Sequence, residues 1–203
     1  FINSAYNPED EFVIILPLSD VPSLEGFLFP RTYIFPREAS LQEVIVEMLS
    51  EFSSQLDPSL VNGFSRGGLS IYEAVTLASI IEKEAVVDAE KPMIASVFYN
   101  RLGAGMRLET DPTVQYALGY QDETGTWWKA PLSLADLGVE SPYNTYKVHG
   151  LPPTPINNPD VSSLRAVAFP AETPYFYFRA ACDGSGRHLF AITFEEHLNN
   201  ACE

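Results

Sequence analysis

The stretch Leu77-Ala78-Ser79-Ile80-Ile81-Glu82-Lys83-Glu84-Ala85 constrains the fold more than any other part of the chain. A surface helix sets an apolar stripe against a polar face, but here small and apolar residues run nearly all round, so this helix belongs in the interior. Ser70 and Glu73 form a capping box that starts it. Its acids then need an explanation. Burial penalises the charged form of a carboxylate and raises its pKa, the condition for a general acid near neutral pH. The alternative is a helix end that turns into solvent at Glu82, Lys83 and Glu84. Helical rotation groups Glu82 with Val75, Ala78 and Ala85, and Glu84 with Leu77, Ile80, Ile81 and Val87. Bulkier neighbours, and like charge from Asp88 one turn on, tilt the choice toward Glu84 without closing it.

The rest of the chain reads as mixed elements. Phe12 to Leu16 is a β-rich apolar run ended by Pro17, and Leu24 to Tyr33 is too rich in Pro and Gly for a helix. Ser40 and Glu43 cap a helix in which Leu41, Val44, Ile45, Met48, Leu49 and Phe52 recur at helical spacing. A loop is expected from Asp57 to Gly68. Pro92 suits the first turn of a further helix that Gly103 or Gly105 ends, and Asp111 can cap a short one with Pro112 at its first position. Asp160 caps a helix running to Phe169. Tyr175–Arg179 and His188–Ile192 read as two strands joined around Asp183-Gly184-Ser185-Gly186, and Thr193 with Glu196 caps a last helix. Partly segregated helices and a single hairpin favour an α+β fold: a helical core with small antiparallel β elements, the hairpin near the C-terminus.

Composition narrows the function. With 12 Lys and Arg against 27 Asp and Glu, the net charge of −15 leaves no basic stripe for a nucleic-acid backbone, and Arg101, Arg107 and Lys129 read as residues on solvated faces. No apolar run is long enough to span a bilayer, and with no initiator Met the chain reads as an excised piece of a longer protein. His149, His188 and His197 lack metal-ligand spacing, so neither a metal nor a cofactor is expected. Gly63-Phe64-Ser65-Arg66-Gly67 fits the nucleophile-elbow pattern in form only, since Pro58 and Asn62 interrupt the strand it needs and the Ser70 cap postpones the helix. Cys182 and Cys202 flank the hairpin and last helix, and either a disulfide or two thiols is compatible with that spacing.

Three polar stretches remain. Leu108 to Tyr116 clusters acids, hydroxyls and an amide; Ser141 to Tyr146 and Leu151 to Pro159 add aromatics, Asn side chains and stiffening prolines. Flat rings and amides on a stiff frame suit a carbohydrate cleft, although turn chemistry alone accounts for much of the pattern.

These stretches occur in a distinctive order. Leu24-Glu25-Gly26-Phe27-Leu28-Phe29-Pro30, the Ala78–Glu84 helix, Ala95-Ser96-Val97-Phe98-Tyr99-Asn100-Arg101-Leu102, Thr110-Asp111-Pro112-Thr113, Tyr143-Asn144-Thr145-Tyr146 and Gly150-Leu151-Pro152-Pro153 together resemble the endolytic murein transglycosylases, the MltG or YceG-like family. The resemblance runs from about Leu24 to His197. It implies an enzyme that cuts peptidoglycan between N-acetylmuramic acid and N-acetylglucosamine and leaves 1,6-anhydro-muramyl ends. It divides the chain into a remnant of an upstream region, residues 1–23, and a catalytic domain, residues 24–203. It also implies a membrane anchor ahead of this piece, a place on the extracytoplasmic face of the bacterial cell membrane, and glycan strands and cell-wall synthesis proteins as partners.

The family's catalytic glutamate matches Glu84. A protonated Glu84 can donate to the glycosidic oxygen, and its carboxylate can then take the proton of the muramic 6-hydroxyl as that oxygen closes on the anomeric carbon. No water needs activating, so one carboxyl suffices where ordinary glycosidases use two. Asp111, Thr113, Gln115, Tyr143, Asn144, Thr145 and Tyr146 form the expected substrate-binding set. Glu109 stands where the family more often has Gln, and Gln115 where an aliphatic residue is usual. His188 reads as a hairpin side chain held by hydrogen bonds. The extracytoplasmic setting predicts a disulfide between Cys182 and Cys202. Two rival functions remain: a non-catalytic wall-binding module, and a hydrolase pairing Glu84 with Glu109 or Asp111.

Overall fold

The computed structural model describes residues 22–202, and the helix singled out above lies at their centre. Helix α1 (Leu41–Gln55) is followed by α2 (Pro58–Arg66), α3 (Ile71–Glu84), α4 (Lys91–Gly103), α5 (Asp111–Leu118) and α6 (Val161–Ala168). Strands β1 (Tyr177–Ala180) and β2 (His188–Ala191) then form an antiparallel hairpin before α7 (Phe194–Asn199). The fold is α+β, as expected. Every residue of α3 from Ala74 to Ile81 is buried, and α2, α4, α5 and α6 pack around it. The expected strand at Phe12–Leu16 lies outside the described residues.

The capping boxes at Ser40/Glu43, Ser70/Glu73 and Thr193/Glu196 are all formed, and the Asp160 side chain accepts from the Ser163 amide at the start of α6. Two expectations are corrected. The loop expected from Asp57 to Gly68 is helix α2: Asp57 accepts from the Ser59 and Leu60 amides, Pro58 occupies the first turn, and Leu60 and Phe64, four apart, bury its apolar face. Gly63 permits the packing, since a Cβ there would lie 2.6 Å from the Ala168 carbonyl oxygen of α6. At α5 the cap is Thr110 rather than Asp111, which becomes the first helical residue and keeps its carboxylate free for other contacts.

The Leu151–Pro159 stretch straps the core together along α3. Ile156 N–H donates to Ser79 Oγ at 3.0 Å, Asn157 Nδ2 donates to the Ser79 carbonyl at 2.6 Å, and Asn158 Oδ1 accepts from the amides of Gly26 and Leu28 at 2.7 and 3.2 Å. At the other end, Asn100 of α4 donates to the carbonyls of Thr173 and Tyr175 and so docks the hairpin. A disulfide joins Cys182 to Cys202 and ties the end of α7 back to the hairpin. Among the described residues no helix is long and apolar enough to cross a membrane.

Candidate active site

An open cleft of about 560 Å³ lies where the C-terminal end of α3 meets α5, the hairpin and α7. Its volume is within the ordinary range for small-molecule sites. Glu84, the last residue of α3, lines it together with Glu109, Asp111 and Tyr146 on one side and Tyr177, His188 and His197 on another. Burial raises the Glu84 carboxyl to about 8, Asp111 adds to the rise, and Arg101 only partly opposes it. Glu84 therefore holds its proton at neutral pH.

Glu82 has a different fate. Its Oε2 accepts from Lys91 Nζ at 3.1 Å and from the Ser163 hydroxyl, beside Asp160 at the start of α6. It is a structural acid outside the cleft, and Lys83 between the two is exposed and not part of the cleft lining.

Asp111 and Tyr146 meet directly: the Tyr146 hydroxyl donates to Asp111 Oδ1 at 2.7 Å. Burial, that hydrogen bond and the charges of Asp111, Glu84 and Glu109 all raise the phenol pKa, so it remains a donor. Thr113 and Thr145 are fully buried beneath this pair, their hydroxyls 2.8 Å apart, with Thr145 Oγ1 accepting from the Thr110 amide at 3.0 Å. Asn144 is equally buried: its amide donates to the carbonyls of Leu137 and Val139, and its Oδ1 accepts from the Tyr146 amide. Tyr143 turns away, tilted against Tyr116 with its hydroxyl 2.8 Å from Thr154 Oγ1. Gln115 donates to the Lys129 carbonyl and fastens the loop after α5. Of the residues expected to form the site, Glu84, Asp111 and Tyr146 thus line the cleft, and the others brace the segments that carry them.

Arg101 corrects the sequence reading. It is not on a solvated face but buried, with Nε donating to the Phe176 carbonyl at 2.6 Å and Nη1 to the Leu108 carbonyl at 2.8 Å and toward Glu109 at 3.4 Å. It thereby ties α4 to the segment carrying Glu109 and to the approach of β1. Glu109 is the one non-glycine with positive φ among the described residues, at 51°, a strained backbone of the kind found at functional sites. Glu90, unremarked in the sequence, is buried and receives the His188 amide at 3.1 Å, with His188 Nδ1 3.0 Å from the same carboxylate. His188 is therefore held by hydrogen bonds, as its hairpin position suggested, yet its ring also borders the cleft. Burial, with Arg179 and Arg101 nearby, holds His197 below its usual range and hence neutral at pH 7. Among the described residues no group of three or more His, Cys, Asp or Glu is arranged to hold a metal ion.

The profile of the YceG-like family matches residues 4–203, nearly the whole sequence. The chain belongs to the YceG-like family. It is 41% identical over 175 residues to the endolytic murein transglycosylase of Bacillus subtilis, covering 86% of this chain and 46% of that protein. It is 31% identical to the endolytic murein transglycosylase of Streptococcus pneumoniae D39, across 100% of this chain and 37% of that one. The 2.6 Å crystal structure of a yceG-like protein from Listeria monocytogenes superposes with a TM-score of 0.77 at 42% identity, over 87% of this chain and 55% of that one. The chain thus spans about half the length, or less, of the YceG-like relatives it matches.

Proposed function

We propose that this chain is the catalytic part of an endolytic lytic transglycosylase, with residues 24–203 as its catalytic domain. The observation that carries the reading is Glu84: a carboxyl held protonated to about pH 8, opening onto a cleft of sugar-binding size. Relatives named endolytic murein transglycosylases supply the substrate class, the glycan strand of peptidoglycan. The acid form of Glu84 donates its proton to the glycosidic oxygen between N-acetylmuramic acid and N-acetylglucosamine, and the bond from that oxygen to the anomeric carbon breaks. The muramic 6-hydroxyl oxygen then bonds to the anomeric carbon while the Glu84 carboxylate takes its proton. The acid is regenerated, no water is consumed, and the product ends in a 1,6-anhydro ring.

Asp111 serves this cycle in two ways. Its negative charge adds to the burial that keeps Glu84 protonated, and it favours the positive charge that develops on the sugar ring in the transition state. Tyr146 fixes its orientation. Asp111 and Tyr146 touch substrate, whereas Thr113, Gln115, Tyr143, Asn144 and Thr145 position the segments behind them. The full-length protein acts on the extracytoplasmic face of the cell membrane, anchored through a segment outside this chain and in contact with cell-wall synthesis proteins.

Mass analysis of the products from purified glycan strands tests the reading. Ends lighter by one water than reducing ends are the expected result. Reducing ends would instead identify a hydrolase pairing Glu84 with Glu109 or Asp111, and strands that bind uncut would identify a wall-binding module.

A further inference from the structure

The two tryptophans of the chain are adjacent in sequence, and both line a cavity separate from the catalytic cleft. Trp127 is 55% exposed, with Tyr120 tilted against it at 5.6 Å between ring centroids. Trp128 carries the Lys83 ammonium over one face, 3.8 Å from its ring centroid. Their loop is built to hold them there. Gln121 N–H donates to the Thr126 carbonyl at 2.8 Å, Trp128 N–H to Thr126 Oγ1 at 3.0 Å, and Gln115 Nε2 to the Lys129 carbonyl at 2.8 Å. Large aromatic surface fixed in contact with water marks a binding site more often than a packing fault.

The cavity measures about 490 Å³, and Glu25, Leu28, Tyr116 and Asn157 are among the other residues that line it. The Tyr116 hydroxyl donates to Glu25 Oε2 at 2.6 Å, so the walls present a phenol–carboxylate pair and a side-chain amide beside aromatic planes. A pyranose ring with an N-acetyl group matches this lining, with an apolar C–H face for an indole and a rim of hydroxyls and amide for the polar groups. A polyanion does not match it, given the net charge of −15 and the carboxylate in the wall.

The cavity's place relative to the cleft gives it a role. Lys83 and Glu84 are consecutive at the end of α3, the first reaching Trp128 and the second opening into the cleft. Helix α5 likewise begins at the cleft with Asp111 and carries Tyr116 to the cavity, roughly 7.5 Å farther along its axis at the usual helical rise. The end of α3 and helix α5 thus connect the two sites. Resting on the transglycosylase reading, we propose that the Trp127–Trp128 cavity is a second saccharide subsite, gripping an N-acetylated sugar of the same glycan strand away from the bond that is cut.

Because the chain's two tryptophans both line this cavity, tryptophan emission, excited beyond the tyrosine absorption band, reports on the cavity rather than on the tyrosines of the cleft. The Glu84→Gln protein is titrated with soluble, uncross-linked glycan strands, with chitotetraose and with a free stem peptide, and calorimetry on the same samples records total binding. The expected result is a saturable emission change with strands and with chitotetraose. Trp127→Ala in the same background should weaken strand binding about tenfold, with Trp127→Phe restoring most of it. Calorimetric binding of strands with unchanged emission and an unchanged Kd in Trp127→Ala would overturn the subsite while leaving cleavage at Glu84 standing. A response to the stem peptide but not to chitotetraose, or no binding of any probe, would overturn it as well. If emission responds as expected but the wild-type products lack anhydro ends, the subsite stands and the transglycosylase reading falls.

Discussion

The two faces at the end of α3 treat carboxylates in opposite ways. On one, Glu82 shares Lys91 with Asp88 and Asp160, at Nζ–oxygen distances of 3.1, 3.0 and 3.2 Å. Burial pulls Lys91 down, but these acids outweigh it and hold its pKa above the ordinary lysine value, while Ser162 takes a further hydrogen bond. On the other face, Glu84 meets Asp111 rather than a dedicated cation. The nearest guanidinium, Arg101, is engaged by backbone carbonyls and only weakens the rise in its pKa. An acid paired with a cation and donors is structure; a desolvated acid facing another acid keeps its proton and is available for chemistry.

The largest effect that tests this contrast is on activity. Glu84→Gln keeps the shape but removes the titrating proton, so glycan cleavage should fall by at least about a hundredfold with folding intact. Its stability should also respond to pH in a definite direction. The folded-state pKa of about 8 lies above the unfolded value, so the wild type binds the extra proton when folded and loses stability as pH rises from about 4.5 to 8. The Gln variant should lack that loss and be the more stable protein above pH 8, as denaturant titrations at two pH values would reveal. A dead Glu82→Gln beside an active Glu84→Gln would reverse the assignment of the two faces.

Next in size is Lys91→Met. Its side chain is 3% exposed, and removing it leaves three acids around one site, so a stability loss of about 2–3 kcal/mol is expected in urea titration. Cleavage by the folded fraction should survive, because this cluster lies outside the cleft. Wild-type stability in the variant would mean that the acids are already solvated.

How far these faces were legible in the sequence follows from the range of the forces involved. Capping boxes act across three residues, and those at Ser40, Ser70 and Thr193 are where local pattern put them. The hairpin strands are offset from expectation only at their ends. Helix α2 departs from the expected loop because Asn62, Gly63 and Pro58 weaken a short helix in isolation, although Asp57-Pro58 is a start signal, and what stabilises it is packing against α6, a partner far off in sequence. The same holds at the site. Periodicity could not separate Glu82 from Glu84, since the deciding partners, Lys91, Ser163 and Asp111, come from other elements. For the same reason local pattern puts Arg101 on a solvated face and does not single out Glu90, though an arginine one turn beyond Val97 and Phe98 of α4 is a signal that its side chain can be buried.

Asp111→Asn probes the cleft face more finely. Removing its charge takes away one cause of the raised Glu84 pKa, so the alkaline limb of the activity profile should move to lower pH by up to about one unit. The position of the limb, rather than its height, is the measure, because the same change also disturbs the hydrogen bond from Tyr146. An unmoved limb would mean that desolvation alone sets the titration of Glu84.

The smallest effect should come from Glu82→Gln, which sharpens the comparison from the structural side. The side chain is 28% exposed, so part of its charge is already screened by solvent, and Asp88 and Asp160 remain to neutralise Lys91. A neutral amide can still accept from the Ser163 hydroxyl that now bonds Glu82 Oε2. The expected loss is therefore about 1 kcal/mol in stability. Cleavage should stay within about threefold of wild type, the small shift reflecting slight movement of the last turn of α3, which carries Glu84 two residues on. A drop in activity approaching that of Glu84→Gln, at unchanged stability, would show that the Lys91 cluster controls the position of the catalytic acid and that the two faces work as one unit.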